Sequence, residues 1–235
     1  MIILSTPSIF GWQHITYFTI FIISLITLLY VNHKYFNEEK QKTKLLKIVA
    51  ILLLIAIAAN RISLIFKDDF IWNFLPNSYC GLTSLVLSLA VLFGKPHNKI
   101  YDCCAYLAIF GGLVTMIYPD FIVQNPSVFY IPTISGLLHH SLHVILSCLL
   151  LQSKWLVPSI KKWKYLPIGV SCYVLYGLFL ISVFKFPDAM EINKPLLSGT
   201  PFYWWFLLIV GSLLHLGVLL TYEYISKNKI KRDAN

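Results

Sequence analysis

Residues 131–152 read IPTISGLLHHSLHVILSCLLLQ. This stretch has no Asp, Glu, Lys or Arg over 22 positions. At about 1.5 Å of rise per residue, a helix of that length crosses the roughly 30 Å hydrocarbon core of a bilayer. It also carries His139, His140 and His143 near its middle. Imidazoles are costly in lipid and persist there when they face other helices or a cavity. The segment therefore predicts a transmembrane helix and marks a candidate site within it.

Working outward, six further apolar runs stand at Trp12–Val31, Leu45–Phe66, Tyr79–Phe93, Ile100–Tyr118, Tyr165–Phe184 and Phe202–Ile225, the third of these being the shortest. Only 12% of the 235 residues are charged and 57% are hydrophobic. A soluble domain carries about 25% charged residues, so the bilayer is the main solvent. The expected architecture is all-α: one seven-helix integral membrane bundle, residues 1–235, with short connections and no evident internal repeat. The first run has no basic region before it and no small-residue cleavage site after it, so it reads as a span rather than a cleavable signal.

The net charge of +9 would point to nucleic acid in a soluble protein. Its distribution points elsewhere. Fourteen of the 19 Lys and Arg residues fall in the connections after the first, third and fifth runs and in the tail, and Lys47, in the first turn of the second run, is on the same side; Lys67, Lys185 and Lys194 fall in the alternate connections, and Arg61 lies inside a run. The bias of positive charge toward the cytoplasm then predicts an outside N-terminus and a cytoplasmic C-terminus. The expected location is a bacterial plasma membrane, with membrane lipids as partners and no nucleic acid. A protein partner or self-association is left open. Aromatic residues such as Trp12, Trp72, Tyr79, Tyr130 and Trp204 gather at the predicted outer ends, as an interfacial belt does.

Helix rise places most of the intramembrane polar groups at one depth. His14, Asn60, Arg61, Cys80, His139, His140 and His143 all fall in the predicted outer leaflet. His139 and His143, four apart, share a helix face; His140 and His143 nearly do. Cys80 stands in the first turn of its helix, where free amides and the helix dipole favour a thiolate. A neighbouring imidazole can take the thiol proton, as in Cys–His acyl transfer. Arg61 can hold a lipid phosphate or an oxyanion, and Asp120 can orient a histidine. Each residue also has a plainer role: cysteine as a small apolar filler, histidine as an interhelical hydrogen bond, Arg61 as a snorkelling cation. Cys103, Cys104, Cys148 and Cys172 form no CxxC pair and take the filler role.

The chemical rival is a metal site. His139-x-x-x-His143 has zinc-ligand spacing on a helix, with Cys80 or His14 as a third ligand. The helical metalloprotease motif places glutamate after its first histidine, whereas this chain has His140 there. No acidic residue lies in the outer halves of the helices, so thiol chemistry is favoured and no cofactor or resident metal is expected.

The motifs Phe-Gly-Trp-Gln-His at 10–14, Leu-Pro-Asn-Ser-Tyr-Cys at 75–80, Tyr-Pro-Asp-Phe at 118–121 and Leu-Leu-His-His-Ser-Leu-His at 137–143 occur in that order. In order and spacing they resemble the YwaF-like family of bacterial integral membrane proteins, whose eukaryotic relatives look like cysteine-dependent phospholipid acyltransferases. The resemblance implies Cys80 as acyl-accepting nucleophile and His139 or His140 as base, with His14 and Asp120 in supporting positions; Asn60, Arg61 and His143 are supporting candidates by their depth alone. It departs at Tyr118, where threonine is usual, and near the last helix, where Glu191-Ile-Asn-Lys stands in for an Asn-Tyr-Met patch. The leading expectation is a lipid acyltransferase or acyl hydrolase acting in the outer leaflet. The alternatives are a non-enzymatic solute transporter or partner subunit, and a metal-dependent lipid hydrolase.

Overall fold

The computed structural model describes residues 7–124 and 127–233. Among them are seven α-helices and no strand: α1 (Trp12–Lys34), α2 (Glu39–Asp68), α3 (Tyr79–Phe93), α4 (Lys99–Ile117), α5 (Ile131–Gln152), α6 (Tyr165–Phe184) and α7 (Trp204–Asp233). Six of the seven are long and apolar enough to cross a membrane. The exception is α3, whose 15 residues span only about 22 Å. The two longest helices overrun the apolar segments read from sequence. Helix α2 begins at Glu39 rather than Leu45, and α7 continues to Asp233. Hydropathy marks where lipid ends, not where a helix ends. At α2 a capping box, in which Glu38 and Gln41 satisfy each other's backbone amides, starts the helix in the charged turn before the span.

Helix α5 is the centre of the bundle, with 15 of its 22 residues buried. Helices α1, α2, α3 and α4 pack on it, α6 packs on α4, and α7 lies outermost against α6. Lipid gives no hydrophobic drive for helix association, so close approach and polar pins hold such a bundle together. Close approach is visible at Gly169, where an added Cβ would stand 2.9 Å from Cys103 Cβ. The pins sit at both ends. At the lysine-rich end, Asn32 Nδ2 donates to Gln152 Oε1 (2.5 Å) and His97 N donates to Trp155 O (2.9 Å). At the opposite end, Asn60 Nδ2 donates to Pro132 O (3.1 Å) and to Ser135 Oγ (3.3 Å).

One ion pair also ties the lysine-rich end. Lys162 Nζ lies 3.1 Å from Asp102 Oδ1, whose side chain is almost fully buried, and also donates to Val157 O. Removing one partner of such a pair strands the other charge. Lys162→Met is therefore expected to lower the melting temperature in detergent by the equivalent of roughly 2 kcal/mol, the worth of a hydrogen bond to a charged group. The double variant with Asp102→Asn should recover much of that loss. Equal melting temperatures for wild type and Lys162→Met would show the pair to be energetically idle.

Candidate functional site

The end of the bundle away from the lysine-rich loops gathers all four sequence motifs. The first of them is structural. Phe10 N–H donates to His14 Nδ1 (3.0 Å), so the proton of the neutral ring sits on Nε2 and is given to Met116 O at 2.8 Å. Both nitrogens are used. His14 pins α1 to the end of α4 and has no nitrogen left for chemistry.

The Leu75–Cys80 motif serves three ends at once. Asn77 Oδ1 accepts from Arg61 Nη1 (3.1 Å), Ser78 caps α3 by accepting from Gly81 N (3.2 Å), and Cys80 follows in the first turn. Asn60 Oδ1 accepts from both Nη2 (2.7 Å) and Nε (3.3 Å) of Arg61. Arg61 thus spends three of its five N–H donors on two amide oxygens and none on a carboxylate. An open cavity of about 180 Å³ lies against this guanidinium, lined by Asn60, Arg61, Lys67, Ser78, His139 and His140 among others. Among the described residues no carboxylate lines it.

His140 forms the boundary between this cavity and the thiol. Phe121, from the Tyr-Pro-Asp-Phe motif, stacks on its ring at 6.0 Å and 23°. Gly136 leaves room for that phenyl ring: a Cβ there would stand 3.0 Å from Phe121 Cε2. Asp120 beside it is exposed; the motif reaches the histidine through its aromatic residue.

Cys80, His140 and His143 present donor atoms that all lie within 4.8 Å of one another. His140 Nδ1 and His143 Nε2 are fully buried and hydrogen-bonded to nothing among the described residues. The Cys80 thiol also hydrogen-bonds the Thr115 side chain of α4. Helix α4 can come this close because two glycines face the site. A Cβ on Gly111 would stand 2.9 Å from Cys80 Sγ, and one on Gly112 would collide with His143 Nε2 and Val144 Cγ2.

One hydroxyl sets the roles of two rings. Ser84 Oγ lies 3.0 Å from His143 Nδ1 and 3.3 Å from His139 Nδ1. A hydroxyl has a single proton to give, so at most one ring accepts from Ser84 and the other donates to it. When His143 donates from Nδ1, its bare Nε2 faces the Cys80 group and His139 accepts. Of the two catalytic imidazoles expected from sequence, His140 joins Cys80. His139 turns to Ser84 and the cavity, and His143, expected as a support, takes the place beside the thiol. The metal triad read from spacing, His139 with His143, differs in the same way: the grouped residues are Cys80, His140 and His143.

Three features escaped sequence reasoning. Ser84 is one of many helical serines. Gly111 and Gly112 carry no chemical signal. Glu191 did have a signal, as the odd member of the Glu191-Ile-Asn-Lys patch before the last helix. Met190 and Glu191 both adopt left-handed φ (54° and 51°), a conformation that costs non-glycine residues of order 1 kcal/mol or more each. Met190 N–H donates to Asn77 O (2.9 Å) and Trp204 N–H to Glu191 O (3.1 Å), which holds the turn over the site. Among the described residues Glu191 Oε2 is buried there without a hydrogen-bond partner, within electrostatic reach of Tyr79 and Cys80.

Burial, with Asp188 nearby, raises the Glu191 carboxyl from 4.5 to about 8. The folded chain therefore holds this proton more tightly than the unfolded one. The stabilisation is complete below 4.5 and is lost as pH rises through about 8. The melting temperature should fall from mildly acidic to mildly alkaline pH, and Glu191→Gln should flatten that fall. A wild-type profile parallel to that of Glu191→Gln would remove the carboxyl from the account.

The TMEM164 family profile matches residues 9–222, most of the chain. No curated protein and no solved structure matches. With the six membrane-length helices, the match makes this a multi-pass membrane protein, and the chain belongs to the TMEM164 family.

Proposed function

We propose that this TMEM164-family protein is a thiol-dependent lipid acyltransferase or acyl hydrolase, with Cys80 as nucleophile and His143, assisted by His140, as base. The observation that carries the reading is the placing of a cysteine against two unpartnered buried imidazole nitrogens, beside a cavity with an arginine and no carboxylate. In the first half-reaction the thiol proton passes to His143 Nε2 while sulfur attacks the ester carbonyl carbon. Collapse of the tetrahedral adduct breaks the carbon–oxygen ester bond. The leaving lysolipid oxygen takes the proton back from the imidazolium, and the acyl group remains on Cys80 as a thioester. A second hydroxyl, from a lysolipid or from water, then gives its proton to the same nitrogen, attacks the thioester and frees the thiol. Among the described residues two N–H groups of Arg61 remain beyond those given to Asn60 and Asn77, and they suit the phosphate of a glycerophospholipid. All seven helices are taken to cross, with the lysine-rich end cytoplasmic. That puts the reaction in the outer leaflet of a bacterial plasma membrane.

The test is to incubate purified protein in vesicles of acyl-labelled phospholipid, quench with acid and map the label. A hydroxylamine-sensitive acyl group on Cys80, chased by added lysolipid, supports the reading. Label absent from Cys80 at every time point, with lipid turnover present, removes the covalent mechanism. Under the same assay Arg61→Gln should raise KM for phospholipid by about 10-fold or more and leave kcat nearly unchanged. An unchanged KM would take the phosphate away from Arg61.

A further inference from the structure

The same three side chains bring together donor atoms of the kind that hold a thiophilic divalent cation. We propose that zinc, or a cation of its class, closes on Cys80 Sγ, His140 Nδ1 and His143 Nε2 and holds the protein in a reversibly inhibited state. The donor set is one thiolate and two imidazoles, the borderline-soft combination that zinc favours. One donor atom from each of the three side chains lies within 4.8 Å of the other two, and the unpartnered ring nitrogens are His140 Nδ1 and His143 Nε2. Tetrahedral zinc needs its ligands about 3.3–3.6 Å apart, a closure of about 1 Å that side-chain rotation supplies. Two independent features point to a ligand. His140 Nδ1 and His143 Nε2 are buried with no hydrogen-bond partner among the described residues, an expensive arrangement that a ligand relieves. Ser84 holds His143 from the far side through Nδ1, at 3.0 Å. That is how a metal-ligating histidine is ordinarily oriented by its outer shell.

Binding is a simple exchange. The S–H bond of Cys80 breaks and a sulfur–zinc bond forms, the proton leaves to water, and the two imidazoles displace hydration waters with their lone pairs. No oxidant or reductant takes part. With the sulfur pair and both nitrogen pairs engaged, neither nucleophile nor base is free. Arg61 and Lys67 at the neighbouring cavity oppose a dication, so affinity should lie below that of closed, cysteine-rich structural sites.

The binding claim stands on the geometry alone, whereas the inhibitory claim rests on the acyl-transfer reading. The test uses full-length protein in detergent or vesicles, stripped with chelator and titrated with cobalt(II) and then zinc. One equivalent of cobalt with a thiolate charge-transfer band, lost in Cys80→Ser and weakened at least 10-fold in His140→Ala and His143→Ala, supports the site. Protection of Cys80 from alkylation by zinc, reversed by chelator, supports it further. Absence of the band with alkylation unaffected by zinc overturns the site and leaves the acyl-transfer reading untouched. A band accompanied by activity that requires zinc overturns the inhibitory role, and with it the thiol mechanism. Zinc that suppresses lipid turnover in wild type, with chelator restoring it, confirms the inhibitory role.

Discussion

Cys80→Ser retains a folded bundle, forms no thioester and loses at least about 10³-fold in acyl transfer. Serine keeps the size of the side chain and its hydrogen bond to Thr115, so the melting temperature should stay close to wild type. What changes is the nucleophile: a hydroxyl holds its proton far more tightly than a thiol. His143→Ala is expected to cost about 10²–10⁴-fold, the usual share of a general base, and His140→Ala less. The order assumes the tautomer in which His143 donates from Nδ1 to Ser84, at 3.0 Å, leaving Nε2 bare to take the thiol proton. Measured turnover of the three variants at equal protein in vesicles decides the matter. Full activity of Cys80→Ser would dismiss the nucleophile. A larger loss for His140→Ala than for His143→Ala would transfer the base role to His140.

Gly112→Ala should be nearly as damaging, without removing any chemical group. The added methyl would collide with His143 Nε2 and Val144 Cγ2. Either α4 moves away from α5 or the imidazole swings off the thiol. Forcing a methyl into a packed interior costs about 1–3 kcal/mol, and a misplacement of about 1 Å at a reacting group can cost 10²-fold in rate. The expected result is a lower melting temperature together with roughly 10²-fold slower turnover. Gly217→Ala is the control: nothing lies within 4 Å of its Cβ, so it should change neither. Wild-type turnover in Gly112→Ala would mean that the imidazole is not confined as described.

The helices were legible because lipid imposes one strong rule, that each span be long and apolar, and six of the seven obey it in full, α3 being apolar but short. Their ends were less so: the turns of α2 from Glu39 to Lys44 are too charged to register as span, though capping extends the helix there. Depth along each helix brought Cys80, Arg61 and the three histidines of α5 to one level. Depth says nothing about rotation, and rotation decided the outcome. It turned His139 toward Ser84 and set His143 beside Cys80, and it gave His14 two backbone partners instead of a substrate. Glycines and single hydroxyls decide such rotations by what they leave room for, and they look alike wherever they occur in a sequence. Glu191 arrives from a loop folded over the site, so no helical period could align it.

Helix α1 is made before α2 to α7, so its long-range polar partners do not yet exist when it leaves the ribosome. His14 waits for Met116, Tyr17 for the Ser141 hydroxyl and Asn32 for Gln152, partners that follow 102, 124 and 120 residues later. During translation these groups must be answered by water, headgroups or the insertion machinery. The expected order of assembly therefore runs against the order of synthesis, with α1 docking only after α4 and α5 have paired. Variants that weaken those three contacts should show their damage in the yield of newly inserted protein before they show it in the activity of what survives.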